Sequence, residues 1–254
     1  MVGARSLCHT GPVATTAKTV RERARAELVA EIKASARRQL AASGASELSL
    51  RAIARELEMA SSAIYRYFPS RDDLLTALII DAYDAVGEIS ERTDAEHAGE
   101  RPAVRWLAVC RAIRAWAHAN PHEYALVYGS PIPGYRAPDD TVAHASRVAL
   151  VLARVLYDGV ERRGRSASDD DDVDAPLHDA GLRELMADVP SEVVTRSLMA
   201  WTELFGLISM ELFGHLVGSV ADDDAFFDRA IELMGRFVGL PETEPMRGRT
   251  SGSR

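Results

Sequence analysis

The stretch SLRAIARELEMASSAIYRYFPSRDDLL, which begins at Ser49, holds two short apolar patterns of helical period, separated by three residues and closed by a proline. Leu50, Ile53, Ala54 and Leu57 fall at i, i+3, i+4 and i+7, the spacing that lines one face of a helix. Ser49, just ahead of them, carries a side-chain oxygen for the free N–H groups of a first turn. After the Glu58-Met59-Ala60 turn, Ile64, Tyr67 and Phe68 point inward, and Ser61, Ser62, Tyr65 and Arg66 stay outside. Pro69 ends the second pattern. Ser70 then caps a long helix opened by Asp72 and Asp73, whose charges suit the positive end of a helix. Two short helices across a tight turn, braced by a long helix on each side, is helix-turn-helix arithmetic.

The rest of the chain reads as helix as well. No stretch shows sustained two-residue alternation bounded by hairpin turns, so the fold class is all-α. A first helix over residues 21–42 sets Leu28, Ile32, Ala36 and Leu40 on one face and stops at Ser43-Gly44. The helix after Ser70 carries Leu74, Leu75, Leu78, Ile79 and Ala82 and runs to about Glu91. Beyond Pro102 a helix holds Trp106, Leu107, Cys110, Ile113 and Trp116 and closes at Asn120-Pro121. A short helix over 122–128 follows, then the loop GSPIPGYRAPDD, whose prolines and glycines exclude regular structure. Helices over 141–163, 191–220 and 224–238 complete the set. The expected domains are a disordered arm (1–19), a helix-turn-helix domain (20–70), a helical ligand-binding and dimerisation domain (71–241) with a mobile acidic loop (164–176), and a disordered tail (242–254).

Charge divides the chain the same way. The net charge is −8. Through position 71, twelve basic residues stand against six acidic ones, so the first part carries +6 and the remainder −14. A basic module on an acidic body is the asymmetry of a chain that meets a polyanion at one end only. The 254 residues, 47% hydrophobic and 27% charged, suffice for a sizeable core and match soluble globular composition. No apolar run reaches the ~20 residues of a membrane span, and the first residues lack the apolar block of a secretory signal. Cys8 and Cys110 offer neither a disulfide framework nor paired zinc ligands, which points to a reducing, cytoplasmic setting. His118, His122 and Glu123 straddle a helix-breaking proline, and Asp169 to Asp172 lack the alternation of a calcium loop, so no metal is expected. No HExxH, P-loop, nucleophile elbow or dinucleotide glycine run occurs, which argues against an enzyme and leaves no cofactor expected.

The ordered run IA, YRYF, PSR and DDLL resembles the DNA-binding domain of the TetR family of bacterial one-component regulators. The resemblance covers residues 20–78. It departs from the family in the turn, where Glu58 replaces the usual glycine and Ala60 the usual Ser or Thr cap. It implies that Ser49 and Arg51 meet the phosphate backbone, that Ser61, Ser62, Ala63, Tyr65 and Tyr67 lie on the recognition face, and that Arg71 takes the usual lysine position at a phosphate. Arg66 is the one residue of that helix able to make a bidentate guanine contact. The segments AIRAWAHANPHEYALVYGSPIPGYRAPDD and AWTELFGLISMELFGHL resemble a C-terminal ligand-binding domain named for a Trp-His-Gly signature. Trp201 and Gly206 are present, with Phe205 where that family has histidine.

An aromatic set of Trp106, Trp116, Tyr124, Tyr128, Trp201 and Phe205, with Met210, either lines a pocket between bundle helices or packs the core. The helix over 191–220 is apolar nearly all round, so one side faces its own core and another a second subunit. Leu204, Ile208, Leu212, Phe227, Ile231 and Met234 are the expected dimer interface, with Gly206, Gly214 and Gly218 permitting close approach. The function expected is a sequence-specific, dimeric regulator on an inverted-repeat operator in double-stranded DNA, a repressor released by a small-molecule effector. A helical-bundle enzyme and an effector-independent DNA-organising protein are the alternatives.

Overall fold

The computed structural model describes residues 13–162 and 191–240. Among the described residues there are nine α-helices, one 3-10 turn and no strand, and no helix is long and apolar enough to cross a membrane. The chain divides into two compact units, residues 1–74 and 75–254.

In the first unit, α1 spans Val13–Ser43, the 3-10 turn Ala45–Glu47, α2 Leu50–Glu56 and α3 Ser61–Ile64, and α4 (Arg71–Glu96) begins there. Ile32, Ala36, Leu40, Leu50, Ile53, Ala54, Ile64 and Phe68 are buried, and Leu28 is half-buried. Helix α1 starts well ahead of the expected residue 21, so residues 13–19 are helical where an arm was expected. Between Pro12 and Gly44 no proline or glycine interrupts the alanine- and charge-rich run, and helix propensity carries the extra turns although no apolar stripe marks them. The arm before residue 13 and the tail after 240 lie outside the described residues. Gly44, at φ 77, ends α1 in a conformation that suits glycine, its N–H donating to Leu40 O at 3.0 Å.

In the second unit, α4 continues to Glu96, followed by α5 (Pro102–Ala119), α6 (Pro121–Tyr128), α7 (Thr141–Arg162), α8 (Ser191–Leu212) and α9 (Asp223–Phe237). The expected acidic loop at 164–176 lies outside the described residues. One apolar core joins α4 through Ala82 and Val86, α5 through Trp106, Val109 and Ile113, α7 through Val148, Val151, Leu152, Val155 and Leu156, α8 through Leu204 and Ile208, and α9 through Phe227, Ile231 and Met234. Helix α8 stops at Leu212 rather than at 220. Gly214 and Gly218, at φ 78 and 80, turn the backbone there, so these two glycines end a helix where close helix–helix approach was expected. Asp222 caps α9 by accepting from Ala225 N–H at 3.0 Å.

A buried ion cluster ties three helices. Arg105, 5% exposed, pairs bidentately with Asp94 of α4 at 2.8 and 3.1 Å and reaches Asp158 of α7 at 2.5 Å. Arg147 of α7 joins Glu91 and Asp84 of α4, and Asp84 also receives His144. Arg147 donates to Glu91 and holds its carboxyl below the usual range. Burial pushes the Asp84 carboxyl up, but His144 and Arg147 outweigh it, leaving it lowered.

Candidate nucleic-acid interface and effector domain

The helix-turn-helix begins with Ser49, whose side chain accepts from Ala52 N–H at 3.4 Å while its own N–H donates to Gln39 Oε1. Helix α2 is fixed to α1 through Glu56, which accepts from Ser35 Oγ at 2.6 Å and from Arg38 Nε at 2.9 Å; Ser35 and Arg38 hold its carboxyl below the usual range. The turn between α2 and α3 needs one left-handed residue, and Glu58 supplies it at φ 53, the single non-glycine residue with positive φ among the described residues. Glu58 thus adopts a conformation that suits glycine and puts a side chain where a left-handed conformation costs energy. Ala60 stands at the cap of α3 without a side-chain hydrogen bond, and Ser61 does not take its place.

Helix α3 itself is one turn long, and Tyr65, Arg66 and Tyr67 follow as a turn. Ser61, Ser62, Tyr65 and Arg66 are exposed, Ala63 and Tyr67 half-buried, and Arg51 on α2 exposed. Tyr65, 42% exposed, is the largest apolar surface of this edge. Arg25 of α1 lies 5.1 Å over the Tyr67 ring and donates to Arg66 O at 3.5 Å, so the ring braces α3 against α1. Arg71 is half-buried and donates through Nη2 to Ala45 O at 2.7 Å and through Nη1 to Asp72 at 3.4 Å. It therefore clamps the 3-10 turn, a role the sequence does not announce. Ser70 and Asp73 form a reciprocal cap at the start of α4, Asp73 N–H donating to Ser70 Oγ at 3.1 Å and Ser70 Oγ donating to Asp73 Oδ2 at 2.7 Å.

In the second unit the aromatic set divides. Tyr124, Tyr128, Trp201 and Phe205 gather with Tyr83 and Phe213; Tyr128 stacks on Phe205 with centroids 3.8 Å apart, and Tyr124 lies 5.2 Å from Tyr128. Trp106 sits elsewhere in the core, donating to Ile231 O at 3.0 Å and filling the space beside Gly235. Trp116 is buried in that core, and Met210 is 51% exposed. Trp106 thus takes the core-packing alternative and Met210 lies at the surface, because the helical turn that buries Leu204 and Ile208 carries Met210 outward. A cavity of about 440 Å³ opens instead on Glu91, Asp94, Ala95, Ala98, Arg105, Arg154 and Asp158, none of them in the predicted set.

The expected dimer residues are also corrected. Leu204, Ile208, Phe227, Ile231 and Met234 are at most 2% exposed inside their own protomer, and Leu212 packs against the same core. The apolar residues left open are those of the other faces: Met199, Met210 and Phe213 along α8 and just after it, and Phe226, Leu233 and Phe237 on α9, each at least 41% exposed. The sequence shows α8 apolar all round but does not mark which face the core claims. Sequence reasoning also missed Arg114, which joins Glu211 at 2.6 Å and Asp224 at 2.7 Å and lies 4.7 Å over Phe227, while His118 pairs with Glu211 at 2.9 Å.

A capped α2, a tight turn and a short α3 with an exposed polar edge, followed along the chain by a separate helical unit, define a DNA-binding transcriptional regulator of the helix-turn-helix kind. Residues 32–78 match the bacterial regulatory proteins of the tetR family, and residues 106–234 match the tetracyclin repressor-like C-terminal domain. The chain is 37% identical over 219 residues to the HTH-type transcriptional regulators Rv1816 of Mycobacterium tuberculosis (strain ATCC 25618 / H37Rv) and Mb1846 of Mycobacterium bovis, covering 84% of this chain and 93% of theirs. The crystal structure of the regulatory protein SCO4313 is similar at a TM-score of 0.70 and 37% identity, over 84% of this chain and 97% of that one. A Rhodococcus sp. RHA1 protein of unknown function shares the fold at a TM-score of 0.61 and 23% identity, over 84% and 95%. The chain belongs to the TetR family of transcriptional regulators, which are not enzymes.

Proposed function

We propose that two copies of this chain bind an inverted-repeat operator in the cytoplasm and repress transcription until a small molecule enters the second unit. The observation that carries this reading is the exposed edge made by Ser61, Ser62, Tyr65 and Arg66 beside Arg51, on a unit whose residues through position 71 carry +6. Arg51 and the Ser49 hydroxyl supply phosphate contacts that set register, and the hydroxyls, the Ala63 methyl and Arg66 read base edges. Arg71 gives its remaining guanidinium donors to phosphate while holding Ala45 O. Tyr67 contributes through its ring edge and positions α3.

The pairing surface we assign is the open apolar face of α8 and α9. Two recognition helices must then enter successive major grooves about 34–36 Å apart, and an effector that changes this spacing through α4, the helix both units share, costs contacts at both half-sites. The finer family reading we hold is the Trp-His-Gly type, with Trp201, Phe205 and Gly206 at the signature positions.

The test is selection of the purified protein against random duplex DNA at fixed near-physiological salt, followed by sequencing. An enriched inverted repeat with half-sites one turn apart is expected. An unenriched pool from folded, ligand-free protein would refute the regulator reading. Tyr65→Ala is expected to abolish measurable operator binding with thermal stability unchanged, whereas Arg51→Ala lowers affinity evenly across sequences and reduces the salt slope by about one.

A further inference from the structure

Among the described residues, two buried polar atoms of the second unit have no partner: the Tyr128 hydroxyl and the Trp201 Nε1–H. They belong to neighbouring rings that meet edge to face with centroids 6.4 Å apart. The polar atoms around them are satisfied. The Tyr124 hydroxyl donates to Phe205 O at 2.9 Å and pairs with Ser209 Oγ at 2.7 Å, the Tyr83 hydroxyl donates to Val127 O at 3.4 Å, and Trp106 is bonded to Ile231 O. A buried donor without a partner costs free energy in every folded molecule, and folded proteins rarely leave two side by side.

The chemistry of the missing partner follows from these two atoms. An indole N–H donates and never accepts. Burial, followed by Tyr83 and Tyr124, pushes the Tyr128 hydroxyl well above the usual tyrosine range, so it keeps its proton and can donate too. Both groups therefore call for an acceptor. Among the described residues the rings beside Tyr128 and Trp201 are Tyr83, Tyr124 and Phe205, and no cation lies over either ring. The neighbouring groups are aromatic rings, with Phe205 where the related signature carries histidine.

We infer that Tyr128 and Trp201 form the hydrogen-bonding end of the effector site, and that it takes an uncharged, planar, largely apolar molecule presenting an acceptor oxygen such as a ketone, ester or quinone carbonyl. The inference rests on the ligand-responsive regulator reading and names the ligand class that reading leaves open. Met210, Trp106 and the charged cavity beside Arg105 have no part in it.

The test is calorimetric binding to the full chain without DNA, using three matched probes: β-acetylnaphthalene, β-ethylnaphthalene and β-naphthoate. Two neutral hydrogen bonds predict that the ketone binds about tenfold or more tightly than the hydrocarbon. That ratio shrinks in Tyr128→Phe and in Trp201→Phe. A ratio near one, a ratio unchanged in both variants, tightest binding of the naphthoate, or no binding of any probe overturns the inference. Thermal unfolding of the ligand-free protein gives a second, independent readout. Tyr128→Phe removes an unpaired hydroxyl and leaves Tm unchanged or raised, while Tyr124→Phe removes two hydrogen bonds and lowers it. A Tyr128→Phe loss equal to that of Tyr124→Phe overturns the premise, because the hydroxyl then has a partner in solution. The random-DNA selection separates the two ideas: an enriched operator with no ketone preference condemns the acceptor site alone, and a ketone preference with no enriched operator condemns the regulator reading alone.

Discussion

At the scale of single residues, two positions in the helix-turn-helix turn carry an avoidable energetic cost. Glu58 holds φ 53 with a side chain in the way, and Ala60 caps α3 with nothing to offer the first free N–H groups. Ala60→Ser is expected to stabilise the unit by about 1 kcal/mol, and Glu58→Gly by a similar amount. Both gains are read as increases in Tm, with no loss of operator affinity because neither side chain belongs to the recognition edge. Arg71→Ala goes the other way. It frees the 3-10 turn carbonyl of Ala45 and lowers stability and DNA affinity together, unlike Tyr65→Ala, which touches affinity alone. The two turn departures were legible in the sequence because a helix-turn-helix leaves few choices at those positions. The Arg71 clamp was not, because a contact from Arg71 back to Ala45 has no periodic signature.

At the scale of the elements, helix pairs in the second unit are held by charge as well as by apolar packing. Arg105→Ala would leave Asp94, 5% exposed, buried and unpaired, and is expected to cost roughly 3–5 kcal/mol, measured by denaturant unfolding. Acid acts on a different set. Glu56, Asp84, Glu91 and Asp228 all have lowered pKa values, Asp228 through Arg111. A carboxyl whose folded pKa is depressed contributes stability present above its unfolded value and lost as pH falls through the folded one. Tm is therefore expected to hold down to about pH 5 and to fall below about pH 4, with a shallower fall in Glu91→Gln. A Tm flat to pH 3 would contradict the sign. Helix existence and order were readable from apolar period and breakers, and α2, α5 and α7 begin within a residue or so of their sequence signals. The misplaced ends have separate causes. Helix α1 extends to Val13 on propensity without amphipathy, and α8 stops at Leu212 because Gly214 and Gly218 adopt positive φ.

At the scale of the whole molecule, the exposed edge of α2 and α3 was legible, whereas the residues expected to pair two copies lie in the core of their own protomer. Recognition positions are set by local spacing within a short motif. Which side of an all-apolar helix meets its own core depends on partners far along the chain, here Trp106 and Val109 on one helix and Val151 and Leu152 on another. The aromatic set divides for the same reason: Tyr124, Tyr128, Trp201 and Phe205 converge, while Trp106 is claimed by α9. If the open face pairs two copies, Leu233→Glu with Phe237→Glu should yield folded monomers in sedimentation, with operator affinity reduced by more than about a hundredfold, since one half-site forfeits its partner's contacts. A dimer that survives both charges would place pairing elsewhere.

The open face bears on how the protein is made. Met199, Met210, Phe213, Phe226, Leu233 and Phe237 leave the ribosome after the recognition unit and after α4 to α7 have been synthesised. The open face is therefore the last part of the described chain to be made. Paired copies accumulate as the square of the number of free chains when chains are scarce. If two copies pair through this face on an operator, a cell that dilutes this protein by growth would lose operator occupancy faster than it loses protein, and would respond to small changes in its synthesis more sharply than a single-chain reader allows.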